Sequence, residues 1–190
     1  MLSPGRGAAL LALACAAPRA WADGVQVRLT ELTRKTYSIE GVFQVKASST
    51  AVWDVLTDYD RIGRFVSSMR HSRVVETRPD GTLIMEQEAV GRVLFFSRTV
   101  RLRLEVRRDA EGLRFEDLDH KDFRRYAGSW TTRAAAGGTE VTYRLEAEPD
   151  FMAPSLLKRR GLRRGAKDLL EQVRAEILRR EARETTTRAP

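Results

Sequence analysis

From Met69 to Pro149 the chain alternates apolar and polar residues almost without a break, and this feature narrows the fold more than any other. A period of two puts successive side chains on opposite faces of a pleated strand. In "LFFSRTVRLRLEVRR", Phe96, Val100, Leu102, Leu104 and Val106 share one face, and Arg101, Arg103, Glu105 and Arg107 the other. Turn chemistry divides the run at Pro79-Asp80-Gly81, at Asp109 to Gly112 and at Gly137-Gly138. The pattern predicts about six consecutive antiparallel strands, apolar on one face and charged on the other.

Two other patterns flank the run. Upstream, "TYSIEGVFQVKAS" alternates through Tyr37, Ile39, Gly41, Phe43 and Val45 and predicts one more strand. Ser48-Ser49-Thr50 then offers N-cap oxygens to "AVWDVLTDYDRIGRF", which predicts two short helices broken near Tyr59. Downstream, Pro154 opens a helix whose Leu156, Leu162, Ala166, Leu169, Val173 and Ile177 recur every three or four residues. The segment 184–190, "ETTTRAP", reads as a disordered tail. The domain therefore spans 36–183 and is α+β. Its long helix is the only element large enough to cover the apolar face of the sheet, and a curved sheet gripping one helix leaves an apolar cavity between them.

The first residues obey a different logic. Arg6, the apolar run from Ala8 to Ala17 and Ala20-Trp21-Ala22 form a secretory signal (1–22), with an apolar core too short to span a bilayer. Cleavage near Ala22 would place the protein in the periplasm or outside the cell. Processing at Cys15 with lipidation is the rival reading, although Ala12-Leu13-Ala14 fits it poorly. Once the signal is removed no cysteine remains, which excludes disulfides, thiolate nucleophiles and Cys-based metal sites. Of the net formal charge of +8, Arg6 and Arg19 carry two, and the eleven Lys/Arg against five Asp/Glu from Pro154 onward carry the other six. Residues 23–153 are thus balanced. No nucleic-acid motif accompanies the excess, so an anionic membrane suits it better than nucleic acid; a solvated helix face is the plainer explanation.

The order of elements, together with "AVWDVLTDYDRIGRFVSSM", "FRRYAGSWTTRAAAGGTEVTYRLEAEP" and "PSLLKRRGLRRGAKDLLEQVRAEI", resembles the START-like (SRPBCC) superfamily over residues 36–180. More closely it resembles the bacterial polyketide cyclase/dehydrase and coenzyme Q-binding branch. The resemblance implies a helix-grip fold with a hydrophobic tunnel for lipids, sterols, quinones, polyketides or hormones, and a carrier or sensor more often than an enzyme. Tyr59 and Phe65 from the short helices would line the tunnel. So would Gln87, Arg98, Val100 and Leu102 from the middle strands, and Tyr126, Trp130 and Tyr143 from the last hairpin. Met152 and Leu156, in "PDFMAPSLL", would gate it. Arg159, Arg160, Arg163, Arg164 and Lys167 would face anionic lipid.

Each candidate also has a plainer role. Tyr126, Trp130 and Tyr143 fit a cross-strand cluster that stabilises the hairpin as well as a cavity wall. Gly128 between them leaves room for a ligand or the helix. Gln87 and Arg98 fall on the apolar side of their strands, where an unpaired polar group costs a few kcal/mol, so a partner or ligand headgroup is expected. Arg98 can instead snorkel outward at its strand end. Gly161 and Gly165 in "GLRRG" read as a close helix–sheet contact. His71 and His120 stand far apart; Asp117, Asp119 and Asp122 near His120 fit an exposed turn better than a metal site. No nucleophile motif occurs, and nothing in the sequence calls for a cofactor. The leading expectation is an exported carrier of a lipid, quinone or other isoprenoid. The alternatives are a cyclase/dehydratase-like enzyme using Gln87, Arg98, Tyr126 or Tyr143, and an envelope interaction module built on the basic helix.

Overall fold

The computed structural model describes residues 24–93 and 96–188; the expected signal (1–22) lies outside the described residues. Eight antiparallel strands form one sheet: β1 (Gln26–Glu31), β2 (Tyr37–Val45), β3 (Met69–Thr77), β4 (Leu83–Val93), β5 (Phe96–Arg108), β6 (Leu113–Asp117), β7 (Phe123–Ala135) and β8 (Gly138–Pro149). Helix α1 (Ser49–Leu56) and a 3-10 helix (Tyr59–Arg64) connect β2 to β3, and α2 (Ser155–Arg188) ends the described chain. The order across the sheet is β1-β2-β8-β7-β6-β5-β4-β3, so β2 closes onto β8 and the six consecutive strands follow as neighbours.

β1 is the strand that sequence patterning missed. It pairs with β2 from Gln26↔Val42 to Glu31↔Tyr37 as an edge, and none of its residues is fully buried. Its apolar positions are too few to stand out. The expected α1 cap is present: Ser48 Oγ accepts from the Ala51 N–H at 3.1 Å.

The core lies between the inner face of the sheet and α2. Ile39, Phe43, Val141, Tyr143, Leu145, Leu104 and Val106 are buried from the strands, and Ala166, Leu170, Val173 and Ile177 from α2. Leu170, fully buried, replaces the expected Leu169, which is half-buried. The adjacent leucines look alike in sequence; only the rotation of the helix on the sheet chooses between them. The close contact is also made by a different glycine. A Cβ on Gly165 would meet nothing within 4 Å, whereas one on Gly41 of β2 would lie 2.1 Å from Leu170 Cδ1. The small residue sits on the strand, and the helix supplies the knob.

Part of the segment 184–190 is helical, and residues 189–190 lie outside the described residues. α2 continues through Arg188, and the Thr185 and Thr186 hydroxyls donate to the carbonyls of Glu181 and Ala182 at 3.0 and 2.9 Å. Side-chain hydroxyls that bond one turn back are compatible with the helix, so the threonine run does not end it.

The outer face carries a ladder of ion pairs between neighbouring strands. Arg101 pairs with Glu88 at 2.8 Å, Arg73 with Glu86 at 2.9 Å, Arg125 with Glu146 at 2.9 Å and Arg144 with Glu40 at 3.0 Å. Exposed pairs each contribute little to stability. Their regularity explains why the body of the chain is charge-balanced.

Candidate functional site: the groove between sheet and helix

The inner face carries a continuous chain of aromatic rings. Trp130 contacts Tyr143 with centroids 4.6 Å apart, and Tyr143 stacks on Phe115 at 6.1 Å. Phe115 meets Tyr126 at 5.9 Å, Tyr126 meets Phe123 at 4.9 Å, and Phe123 meets Phe151 edge-on at 6.5 Å. Trp130 and Tyr143 are buried, while Tyr126 is half-buried. The chain therefore runs from the packed core toward one end of the sheet, and the cluster role expected for Trp130 and Tyr143 is realised.

Strand register defines that end. Tyr37, Ala147 and Tyr126 lie side by side on β2, β8 and β7. Beyond them come the β1–β2 turn, the β6–β7 turn and the loop into α2, tied by the Asp150 N–H donating to the Asp122 carbonyl at 3.0 Å. Here inner-face residues stay only partly covered: Ala89 and Val100 on the sheet, and Leu162 and Leu169 on α2. Large apolar side chains also stand in solvent around this mouth, with Met152 fully exposed and Leu156, Leu32 and Leu118 at least 41% exposed.

The polar candidates have protein partners. Gln87 Nε2 donates to Ser72 Oγ directly across the strand pair at 3.3 Å. Arg98 turns outward: its Nη2 donates to Asp122 Oδ1 at 2.7 Å, and its guanidinium lies 4.8 Å from the Phe151 ring centre. Asp122 Oδ2 also accepts from the Arg101 N–H at 2.9 Å. Phe151 is thus held at the mouth by Arg98 on one element and Lys158 (5.4 Å from its ring centre) on another. Burial raises the phenol pKa of Tyr143 well above its usual value and raises that of Tyr126, so both hydroxyls stay protonated. The buried Tyr37 hydroxyl, on the same face of β2 as Gly41, has no hydrogen-bond partner.

Several expectations shift in position. Leu102 is buried in the wall, and Trp130 lies deep rather than at the mouth. The space expected beside Gly128 is taken, since a Cβ there would fall 2.6 Å from Phe115 Cζ. Tyr59 and Phe65 leave the mouth altogether. Burial raises the Tyr59 phenol to about 12 against the opposing charge of Arg108, and Arg108 lies 4.7 Å over Trp53 at the far end of β5. Phe65 packs beneath Arg180 at 5.7 Å. Phe115, Phe123 and Phe151 were the residues missed; Phe115 and Phe123 lie on strands and Phe151 in the loop into α2, and nothing in sequence shows that three separate segments converge.

Near His120, Asp117 is fully buried and accepts from the backbone N–H groups of Arg103 and His120, both at 3.0 Å. It shapes a tight turn in which His120 takes φ 52°. Among the described residues no group of three or more His, Cys, Asp or Glu could hold a metal ion. No described helix is long and apolar enough to cross a membrane.

Comparison with known proteins agrees with this architecture. A STAR-related lipid transfer protein fragment from Xanthomonas axonopodis superposes with TM-score 0.65 at 18% identity, covering 82% of this chain and 94% of that one. Human STARD10 superposes with TM-score 0.67 at 11% identity, over 88% and 74% of the two chains. The Zhui aromatase/cyclase from a Streptomyces species superposes with TM-score 0.62 at 13% identity, over 79% and 96%. No curated protein matches the sequence. The fold is the START-like helix grip, and the model of one family, described as polyketide cyclase / dehydrase and lipid transport, matches residues 45–174. The chain belongs to that family.

Proposed function

We propose that the protein is an exported carrier of a hydrophobic small molecule, of the lipid, quinone or isoprenoid class, held between the inner face of the sheet and α2. The observation that carries this reading is the mouth: half-covered apolar walls at Ala89, Val100, Leu162 and Leu169 open at the end where Met152 and Leu156 project into solvent. An apolar ligand would cover that surface, with a driving force of about 25 cal/mol per Å² buried. The Tyr37 hydroxyl offers it one hydrogen bond. Carriage is favoured over chemistry because Gln87 and Arg98 are already engaged by Ser72 and Asp122.

Docking on an anionic membrane belongs to the same reading. Arg160 and Arg163 have no acidic partner among the described residues, and the ion pairs of Arg159, Arg164 and Lys167 are long, at 3.9, 3.7 and 3.5 Å. These cations stand beside the exposed apolar side chains of the mouth.

Native mass spectrometry of the protein from its own host tests the carrier. Wild type is expected to retain a lipid-sized adduct. Val100→Asp, which puts a charge on the half-buried wall, should lose it while keeping its far-UV circular dichroism. A folded Val100→Asp protein that keeps the full adduct would place the ligand elsewhere. A recovered adduct chemically altered on incubation would favour the cyclase-like reading.

A further inference from the structure

Far from the mouth, in the C-terminal half of α2, Arg61, Arg64, Phe65, Glu176, Arg179, Arg180 and Arg183 enclose a concavity of about 440 Å³. Glu176 lies 21 residues beyond Ser155, so this concavity is roughly 30 Å along the helix from the mouth. The groove candidates do not reach it, Phe65 apart.

The guanidinium groups here are positioned, not merely exposed. Two nearly buried carboxylates each bridge two of them. Glu176, with its side chain 7% exposed, accepts from Arg179 Nε at 2.6 Å and from Arg180 Nε at 2.7 Å. Asp58, 8% exposed, accepts from Arg61 Nε at 2.8 Å and from Arg180 Nη2 at 2.6 Å. Arg180 also donates from Nη1 to the Asp54 carbonyl at 3.3 Å and lies over the Phe65 ring. Tying the 3-10 helix to α2 would need only one such pair. Instead the two carboxylates engage Arg61, Arg179 and Arg180, and two further guanidiniums, Arg64 and Arg183, line the same concavity. Donors remain: Arg61 meets Asp58 through Nε alone, and Arg64 has no acidic partner among the described residues.

A planar guanidinium fork matches the oxygens of a tetrahedral oxyanion, and several forks held by buried carboxylates meet a phosphate at little ordering cost. The concavity is larger than a bare phosphate needs, and the Phe65 ring gives it one apolar wall. We propose that Arg61, Arg64, Arg179, Arg180 and Arg183 form a binding site for a phosphate group carried on a larger molecule, separate from the hydrophobic groove. The phosphate belongs either to a soluble phosphorylated compound or to a lipid headgroup.

The test titrates the signal-free chain with inorganic phosphate at constant ionic strength, chloride serving as the balancing anion. Binding is followed by calorimetry and by amide chemical shifts. Wild type should bind phosphate, with shifts centred on 59–65 and 176–183. Arg64→Gln should weaken binding about tenfold with an unchanged melting temperature, and the double variant Arg64→Gln/Arg183→Gln, shown folded by far-UV circular dichroism, should weaken it further. Phosphate that acts no differently from chloride, or that binds the double variant as it binds wild type, would overturn the site. Vesicles of phosphatidylcholine, with and without phosphatidic acid, identify the source. Sedimentation that depends on phosphatidic acid and is lost in the double variant assigns a headgroup. Phosphate binding lost in the double variant while vesicle binding is unchanged assigns a soluble compound.

Discussion

Glu176 shows how much one side chain can contribute once the tertiary structure surrounds it. In sequence it is one of five acidic residues in a basic helix. In the fold its carboxyl is pulled down to about 2, chiefly by its hydrogen bond from Arg179, against the opposing cost of burial and with help from Arg180. A carboxyl whose folded pKa lies below its usual 4.5 stabilises the fold fully above that value, and the contribution disappears as pH falls toward about 2. Glu176→Gln should therefore cost on the order of 1–2 kcal/mol at neutral pH, screened because Arg179 is half exposed. Urea unfolding of both proteins from pH 7 to pH 2.5 should show the difference shrinking below about pH 4.5; a constant difference would mean that the carboxylate charge does not matter. At the same scale the sequence showed that Tyr126, Trp130 and Tyr143 share a face, because alternation fixes sidedness. It could not show that Phe115 fills the space over Gly128, since that contact joins residues on different strands.

Among the elements, α2 does most to shape the site. Its amphipathic period was legible, as were six of the strands after α1, because each is a local repeat read against a known geometry. β1 was not legible, being an edge strand whose residues all remain partly exposed. The N-terminal half of α2 carries Arg159, Arg160, Arg163, Arg164 and Lys167. In the proposed reading these cations face an anionic membrane. Changing Arg159, Arg160, Arg163 and Arg164 to glutamine should leave folding intact and weaken binding to anionic liposomes. At roughly 1 kcal/mol per cation near the surface, the loss should exceed tenfold, and wild-type binding should fall as salt rises. Equal binding by both proteins would reduce the charges to a solvated face.

For the whole molecule, the export expectation rests on residues 1–22, and peptide mass analysis of protein from its host should find Asp23 at the mature N-terminus; an intact Met1 or a lipidated Cys15 would refute it. The strand count from Met69 to Pro149, the capped helix after Ser48 and the long terminal helix were determined by sequence alone, because periodicity, caps and turn residues act within a few positions of the chain. The choice of Leu170 over Leu169, the aromatic chain from Trp130 to Phe151 and the removal of Phe65 to the arginine cluster were decided only by tertiary structure. Each depends on how sheet curvature rotates α2 and brings together segments far apart in the chain, as Asp58 and Arg180 are at 122 residues. That rotation is set by packing volume across the core, a quantity that no local pattern encodes.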